Sequence, residues 1–304
     1  MTPRTLIQVR PLEERPLPGL SWSERLERLR ALLRGLGRVV IAYSGGVDSS
    51  LLLRVAHEAL GPDARGVIGR SDSYAARELE LALAQARGFG AEVDVVTTGE
   101  LADARFRSNP TDRCYYCKDE LYRRLGEVAA RTGAAAILDG TIVDDLADLR
   151  PGRRAAGEHA VRSPLAELGF SKADVRAAAA HYGIESAGKP ASPCLASRIP
   201  YGVEITRENL GLVERAEAAL RLLGFGVLRV RHYGDTARIE VPLEDLPRLL
   251  AAGVRERVIQ GVQQAGYRRV TVDLEGFRSG NLNRDASPEV LEIKKREPLD
   301  HGRG

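Results

Sequence analysis

The chain has 304 residues, enough for two cores of ordinary domain size, and its 43% hydrophobic and 29% charged residues have the balance of a folded, water-soluble protein. A disordered or fibrous chain is excluded, and no run reaches the ~18 apolar residues that a membrane span needs. The formal net charge of +3 rests on five lysines and forty arginines; with no long basic run and no basic stripe interleaved with aromatics, it does not point to nucleic acid.

In chain order, residues 1–20 carry four prolines and little periodicity, which predicts a flexible arm. Met1-Thr2-Pro3-Arg4 lacks the apolar core and small-residue cleavage site of a secretory signal, so a cytoplasmic protein is expected. Ser21-Trp22-Ser23-Glu24 matches a capping box and opens a helix with Leu26, Leu29, Leu33 and Leu36 at helical spacing. Val39-Val40-Ile41-Ala42-Tyr43 is a continuous apolar run of the kind found in a strand covered on both faces. Helix over 49–60, strand over 66–69, helix over 75–88, strand over 91–97, helix over 118–131 and strand over 134–138 follow in alternation. That order predicts an α/β fold with a parallel sheet, whose ligands bind outside the carboxyl ends of the strands.

Residues 141–202 are rich in Gly, Pro, Arg and Asp, with one helix expected over 171–182. Helix over 207–223, strands over 226–232 and 237–241, helical stretches to about 265 and a strand over 269–274 then predict a smaller α/β domain. The expected division is a 1–20 arm, a 21–202 nucleotide-loop domain with cysteine-bearing loops, a 203–278 substrate domain and a polar 279–304 tail.

The string Ser44-Gly45-Gly46-Val47-Asp48-Ser49-Ser50 lies between a buried strand and a helix. Glycines there open torsions closed to other residues and let phosphate oxygens approach the chain, while the helix start offers N–H groups and the positive end of its dipole. Ser44, Ser49 and Ser50 are candidate hydroxyl donors, and Asp48 is a candidate ligand for Mg²⁺ on a pyrophosphate group. A second string, Gly183-Ile184-Glu185-Ser186-Ala187-Gly188-Lys189, has Walker spacing, but Pro190 replaces the required Ser or Thr and a helix precedes it.

At 44–50 the chain resembles the PP-loop ATP pyrophosphatases. Further strings narrow the resemblance to the LarE-type sulfur transferases of nickel-pincer nucleotide cofactor biosynthesis. They are the run from Asn109 to Lys118 with Cys114 and Cys117, Asp139-Gly140-Thr141 with Asp144-Asp145, Arg150-Pro151-Gly152, Arg162-Ser163-Pro164-Leu165, the run from Cys194 to Gly202, and Arg229-Val230-Arg231-His232. Ala237-Arg238-Ile239-Glu240 and the Asp273 to Gly280 region complete the set. Ile142 and Gly188 depart from the pattern, standing where Asn and Asp are expected.

The resemblance implies a Rossmann-like PP-loop domain that uses ATP and Mg²⁺ to adenylate a pyridinium mononucleotide carboxylate, followed by conversion to a thiocarboxylate. It implies Ser44, Asp48 and Cys194 as catalytic residues, with Glu217 and Glu240 joining Arg229 and Arg231 at the substrate. Arg229 and Arg231 alternate on a strand and so share a face, a fork for phosphate or carboxylate unless that face is merely solvated.

Cys114, Cys117 and Cys194, an odd number, argue against structural disulfides. Three thiolates suit a [4Fe-4S] cluster with one open iron, or zinc. Alternatively Cys194 gives up its own sulfur and becomes dehydroalanine. An assembly of identical copies is expected. A tRNA-thiolating enzyme, an ammonia-using synthetase and a nucleotide-binding module without chemistry are the competing readings.

Overall fold

The computed structural model describes residues 19–146, 151–188 and 193–278. The tail expected over 279–304 and all but the last two residues of the expected arm lie outside them. The chain divides into two compact units.

The first unit takes in the chain up to Ser71, Ala76–Gly99 and Cys114–Ser192. Helix α1 (Trp22–Leu36) starts at the Ser21–Glu24 capping box and buries Leu26, Leu29 and Leu33; burial of such side chains contributes about 1.5–3 kcal/mol each. Strand β1 (Val39–Ala42), helix α2 (Val47–Leu60), strand β2 (Ala64–Arg70), helix α3 (Ala76–Phe89) and strand β3 (Val93–Thr97) follow. Helix α4 (Ala104–Arg107) comes next in sequence, then helix α5 (Arg113–Thr132) and strand β4 (Ala136–Leu138).

The sheet order is β3-β2-β1-β4, with every pairing parallel. β1 is buried at all four positions, as its unbroken apolar run requires. It lies between β2 and β4, so the loops leaving these strands open on one edge of the sheet.

Two local expectations differ from the structure. The helix expected from 118 begins at Arg113, which puts Cys114 and Cys117 on a helical turn rather than in a loop. The irregular stretch after Thr141 holds helices α6 (Val143–Leu146), α7 (Pro151–Glu158) and α8 (Pro164–Glu167) besides α9 (Lys172–His181), the one helix expected there. The described spans of α6, α7 and α8, four to eight residues, are too short to show an apolar period, and Pro164 occupies the first helical position of α8, where proline costs no hydrogen bond.

The second unit consists of Asp72–Ala75, Glu100–Arg113 and the chain from Pro193. No single cut in the sequence separates the two units, because two early segments fold with the late one. Backbone bonds within the unit fix them there: Leu195 N–H donates to Ser73 O at 2.8 Å and Ile205 N–H to Arg107 O at 2.8 Å.

Helix α10 (Arg207–Leu222), capped by Thr206, precedes strands β5 (Arg229–Tyr233) and β6 (Thr236–Glu240). Helices α11 (Leu246–Leu250) and α12 (Val254–Gln264) then lead to strand β7 (Arg269–Val272). β5 and β6 pair antiparallel, and β6 and β7 pair parallel. Leu220, Phe225, Val230, Ile239, Val262 and Tyr267 form the core of this unit. His232 belongs to it as a structural residue: its Nδ1 lies 3.1 Å from the Tyr267 hydroxyl, and burial lowers its pKa.

Candidate active site

The 44–50 loop is built by backbone geometry. Gly45 has φ +71°, and a Cβ there would stand 2.6 Å from the Cβ of Ala82 on α3, so both torsion and space demand glycine. Gly46 caps α2, and the Ser50 N–H makes the first helical bond to its carbonyl at 2.9 Å. The N–H groups ahead of Ser50 face the open end of α2, the ordinary place for an anion.

The loop serines are engaged with their surroundings. Ser49 Oγ donates to Gly46 O (3.1 Å) and accepts from Ser44 N–H (3.2 Å), with Ser44 Oγ at 3.1 Å. Ser50 is buried and its Oγ accepts from Gln85 Nε2 at 2.5 Å. Of the hydroxyls expected to meet phosphate, those of Ser49 and Ser50 therefore brace the turn.

Beside it sits the loop that leaves β4. A Cβ on Gly140 would lie 2.8 Å from Ser49 N and 3.0 Å from Ser49 Cα, so this glycine lets the loop rest directly on the start of α2. The buried carboxylate of Asp139 accepts four hydrogen bonds. They come from Thr141 N–H (3.1 Å), Thr141 Oγ1 (3.0 Å), Ser163 Oγ (2.7 Å) and the Tyr122 hydroxyl (3.0 Å). Burial pushes the Tyr122 phenol up to about 12, so it stays a donor. Ile142, the departure from the family pattern, is buried and contributes backbone groups: its N–H donates to Asp145 Oδ2 at 3.2 Å and its carbonyl accepts from the Asp145 N–H at 3.1 Å.

Asp48 faces a partner that the sequence reading did not pick out. Lys172, the first residue of α9, places Nζ 2.8 Å from both carboxylate oxygens of Asp48, and its backbone N–H donates to Asp144 Oδ2 at 2.9 Å.

Cys114 and Cys117 are three residues apart on α5 and so share a face. Lys118 is beside them. Its pKa is raised by Tyr122, then by Asp139, with Cys117 and Cys114 adding to the effect, so it remains a cation. All three cysteines of the chain carry unbridged thiols. Among the described residues, no group of three or more His, Cys, Asp or Glu is gathered in a way that could hold a metal ion.

In the second unit Cys194 caps a short turn over Leu195–Arg198. Arg198 is 1% exposed and organises that turn: its Nη1 donates to Pro193 O (2.6 Å), Cys194 O (3.1 Å) and Ser197 Oγ (2.9 Å). Its Nε and Nη2 hold Glu217, also 1% exposed, at 2.8 and 3.2 Å. Arg221 adds a contact to Glu217 at 2.8 Å, and so does the Val230 N–H at 3.2 Å. Burial pushes the Glu217 carboxyl up, but the two guanidinium groups outweigh it and hold it below the usual carboxylate range.

Arg231 forks onto Glu240 at 3.0 and 2.9 Å and reaches Ser197 O at 2.7 Å. Arg229 stacks over Phe277 at 5.0 Å, and burial together with neighbouring Arg198 lowers its pKa to about 10. Both strand arginines are buried, so their shared face is not a solvated one. Asn109 is buried in a left-handed conformation (φ +54°) and supports this region from the side. Its Nδ2 donates to the carbonyls of Ile199, Pro200 and Val203 at 3.3, 2.7 and 3.0 Å.

The parallel sheet and its glycine turn define a Rossmann-like α/β protein of PP-loop architecture, with a second small α/β unit. No protein-family model matches the chain. It is 42% identical to the pyridinium-3,5-bisthiocarboxylic acid mononucleotide synthase of Lactiplantibacillus plantarum, over 84% of this chain and 92% of that protein. It is 45% identical to an uncharacterized protein of Synechocystis, over 86% of this chain and 98% of that protein. An uncharacterized protein of Methanocaldococcus jannaschii is 29% identical over 80% of this chain and 91% of that one. The chain belongs to the LarE-type sulfur transferases, a family of enzymes.

Proposed function

We propose that the first unit uses ATP and Mg²⁺ to adenylate a carboxylate of a pyridinium mononucleotide, and that the resulting acyl-adenylate becomes a thiocarboxylate with sulfur supplied at Cys194. The reading rests on the relative that bears the name of a bisthiocarboxylic acid mononucleotide synthase. The observation that supports its first step is the 44–50 turn, where a left-handed Gly45 leads into the side-chain-free cap Gly46 and the N–H groups of the first turn of α2, the ordinary place for an anion. A substrate carboxylate oxygen attacks the α-phosphorus, the bond to the β-phosphate bridge breaks, and pyrophosphate leaves with the electron pair. Asp48, half-buried at the start of α2, suits a Mg²⁺ ion that keeps most of its other ligands from phosphate and water.

In the second unit, buried Arg198, Arg229 and Arg231, with half-buried Arg221, outnumber Glu217 and Glu240, a surplus of positive charge suited to an anionic mononucleotide. Glu217 and Glu240 hold three of these arginines, Arg198, Arg221 and Arg231, in place. The Cys194 thiolate attacks the acyl carbon, and AMP departs with the electrons of the carbon–oxygen bond. Loss of the Cys194 α-proton then breaks its carbon–sulfur bond, leaving dehydroalanine and a thiocarboxylate that retains the sulfur.

A [4Fe-4S] cluster on Cys114, Cys117 and Cys194 would instead carry a replaceable sulfide and spare the protein. Two of its ligands, Cys114 and Cys117, share a helical face, but among the described residues no group of three or more His, Cys, Asp or Glu is gathered to hold a metal.

The test is to add ATP, Mg²⁺ and the dicarboxylic counterpart of the relative's product to anaerobically purified protein. AMP, pyrophosphate and thiocarboxylate should appear together; ATP bound but never cleaved would overturn the reading. Loss of one H₂S in mass at Cys194 marks the sacrificial route. About four irons per chain with repeated turnovers marks the cluster.

A further inference from the structure

The ion pair between Lys172 and Asp48 stands where the reading above, on which this inference rests, requires a metal. Asp48 lies in the first turn of α2, where a carboxylate is ordinarily stabilised by the helix N–H groups. Here both of its oxygens are instead held by one ammonium at 2.8 Å.

The choice of lysine is informative. A chain with forty arginines and five lysines places a lysine against this carboxylate, although arginine has the better fork for a carboxylate. An ammonium is a compact charge on a flexible stem, suited to letting go of one oxygen pair and taking another. The backbone beneath that stem is fixed. Ser171 and Asp174 form a capping box at the start of α9, and Lys172 N–H is bonded to Asp144. Asp144 belongs to the segment that follows the Asp139-Gly140-Thr141 loop resting on Ser49, so the elements around the glycine turn meet at Lys172.

We infer that Lys172 is an internal stand-in cation. It neutralises Asp48 while the nucleotide loop is empty, and it transfers its ammonium to the phosphate oxygens of ATP when Mg²⁺ takes the carboxylate. Metal and nucleotide therefore enter together, and free metal is kept off Asp48. The resident ammonium also becomes a ligand for the pyrophosphate that leaves.

The test uses the full chain and binding rather than turnover. Mn²⁺ alone is titrated by electron paramagnetic resonance into wild type, Lys172→Met and Lys172→Arg, and ATP in EDTA is titrated into each by calorimetry. Removing a charge in direct contact should tighten Mn²⁺ binding to Lys172→Met by about tenfold or more and weaken metal-free ATP by a similar factor. Lys172→Arg keeps the charge, so it should bind Mn²⁺ no better than wild type, and it separates the charge effect from misfolding. Unchanged Mn²⁺ affinity in a folded Lys172→Met protein overturns the inference while leaving ATP use intact. Failure of wild type to bind ATP at all overturns the nucleotide reading itself.

Discussion

The two units build their sites by opposite means. The proposed anion site of the first is built from backbone: a left-handed Gly45, a close-packed Gly140 and serines turned inward to hold the turn. The second makes its place from side-chain charge, with Arg198, Arg229 and Arg231 buried beside Glu217 and Glu240. Torsion is encoded locally and tolerates little change at one or two positions. A buried charge network is distributed, and each member matters because the others cannot regain water once it is gone.

Substitution should expose this contrast most strongly at Glu217. Glu217→Ala leaves the Arg198 guanidinium buried without its counter-ion, and the expected loss is about 3–5 kcal/mol, measured from urea unfolding midpoints. A loss under about 1 kcal/mol would show that the network is not energetically coupled.

Gly45→Ala should have the next largest effect. The left-handed torsion costs about 1–2 kcal/mol for a residue with a Cβ, and the contact with Ala82 adds to it. Pyrophosphate affinity, read by calorimetry, should collapse with it. Adding Ala82→Gly should restore part of the stability; if it restores none, steric contact is not the reason for glycine.

The smallest effect is one of pH. His232 has its folded pKa lowered by burial, so below its unfolded value of 6.5 the unfolded chain binds more protons than the folded one. Stability should therefore fall as pH drops below that value, and His232→Gln should flatten the slope between pH 7 and 5, as followed by thermal melts.

How much of this was legible depends on the range of the interactions. The strand, glycine turn and helix around residues 44–50 could be read from consecutive residues because each of their constraints is local. The alternating elements gave the parallel sheet for the same reason. Lys172 meets Asp48 across 124 positions, and nothing in the local pattern of either residue indicates the other.

The helical start at Arg113 was hidden because Cys and Tyr in its first turn carry no strong helix signal. Arg229 and Arg231 could be placed on one face by alternation, but that Glu240 would hold Arg231 depended on the hairpin register, which pairs Arg229 with Glu240 and Arg231 with Arg238. Asn109 stands in sequence only as the first residue of the run that ends at Lys118. Its left-handed backbone and its three carbonyl partners follow from residues some ninety positions away.

Gly140 fixes a dimension more than a conformation. The loop after β4 and the first turn of α2 approach so closely that a single methyl group would separate them. The spacing between that loop and the helix is thus set by a hydrogen where other residues carry carbon. A related chain with a larger residue at this position must have shifted either the helix or the loop, so one letter of its sequence would report a wider spacing between them before its structure was known.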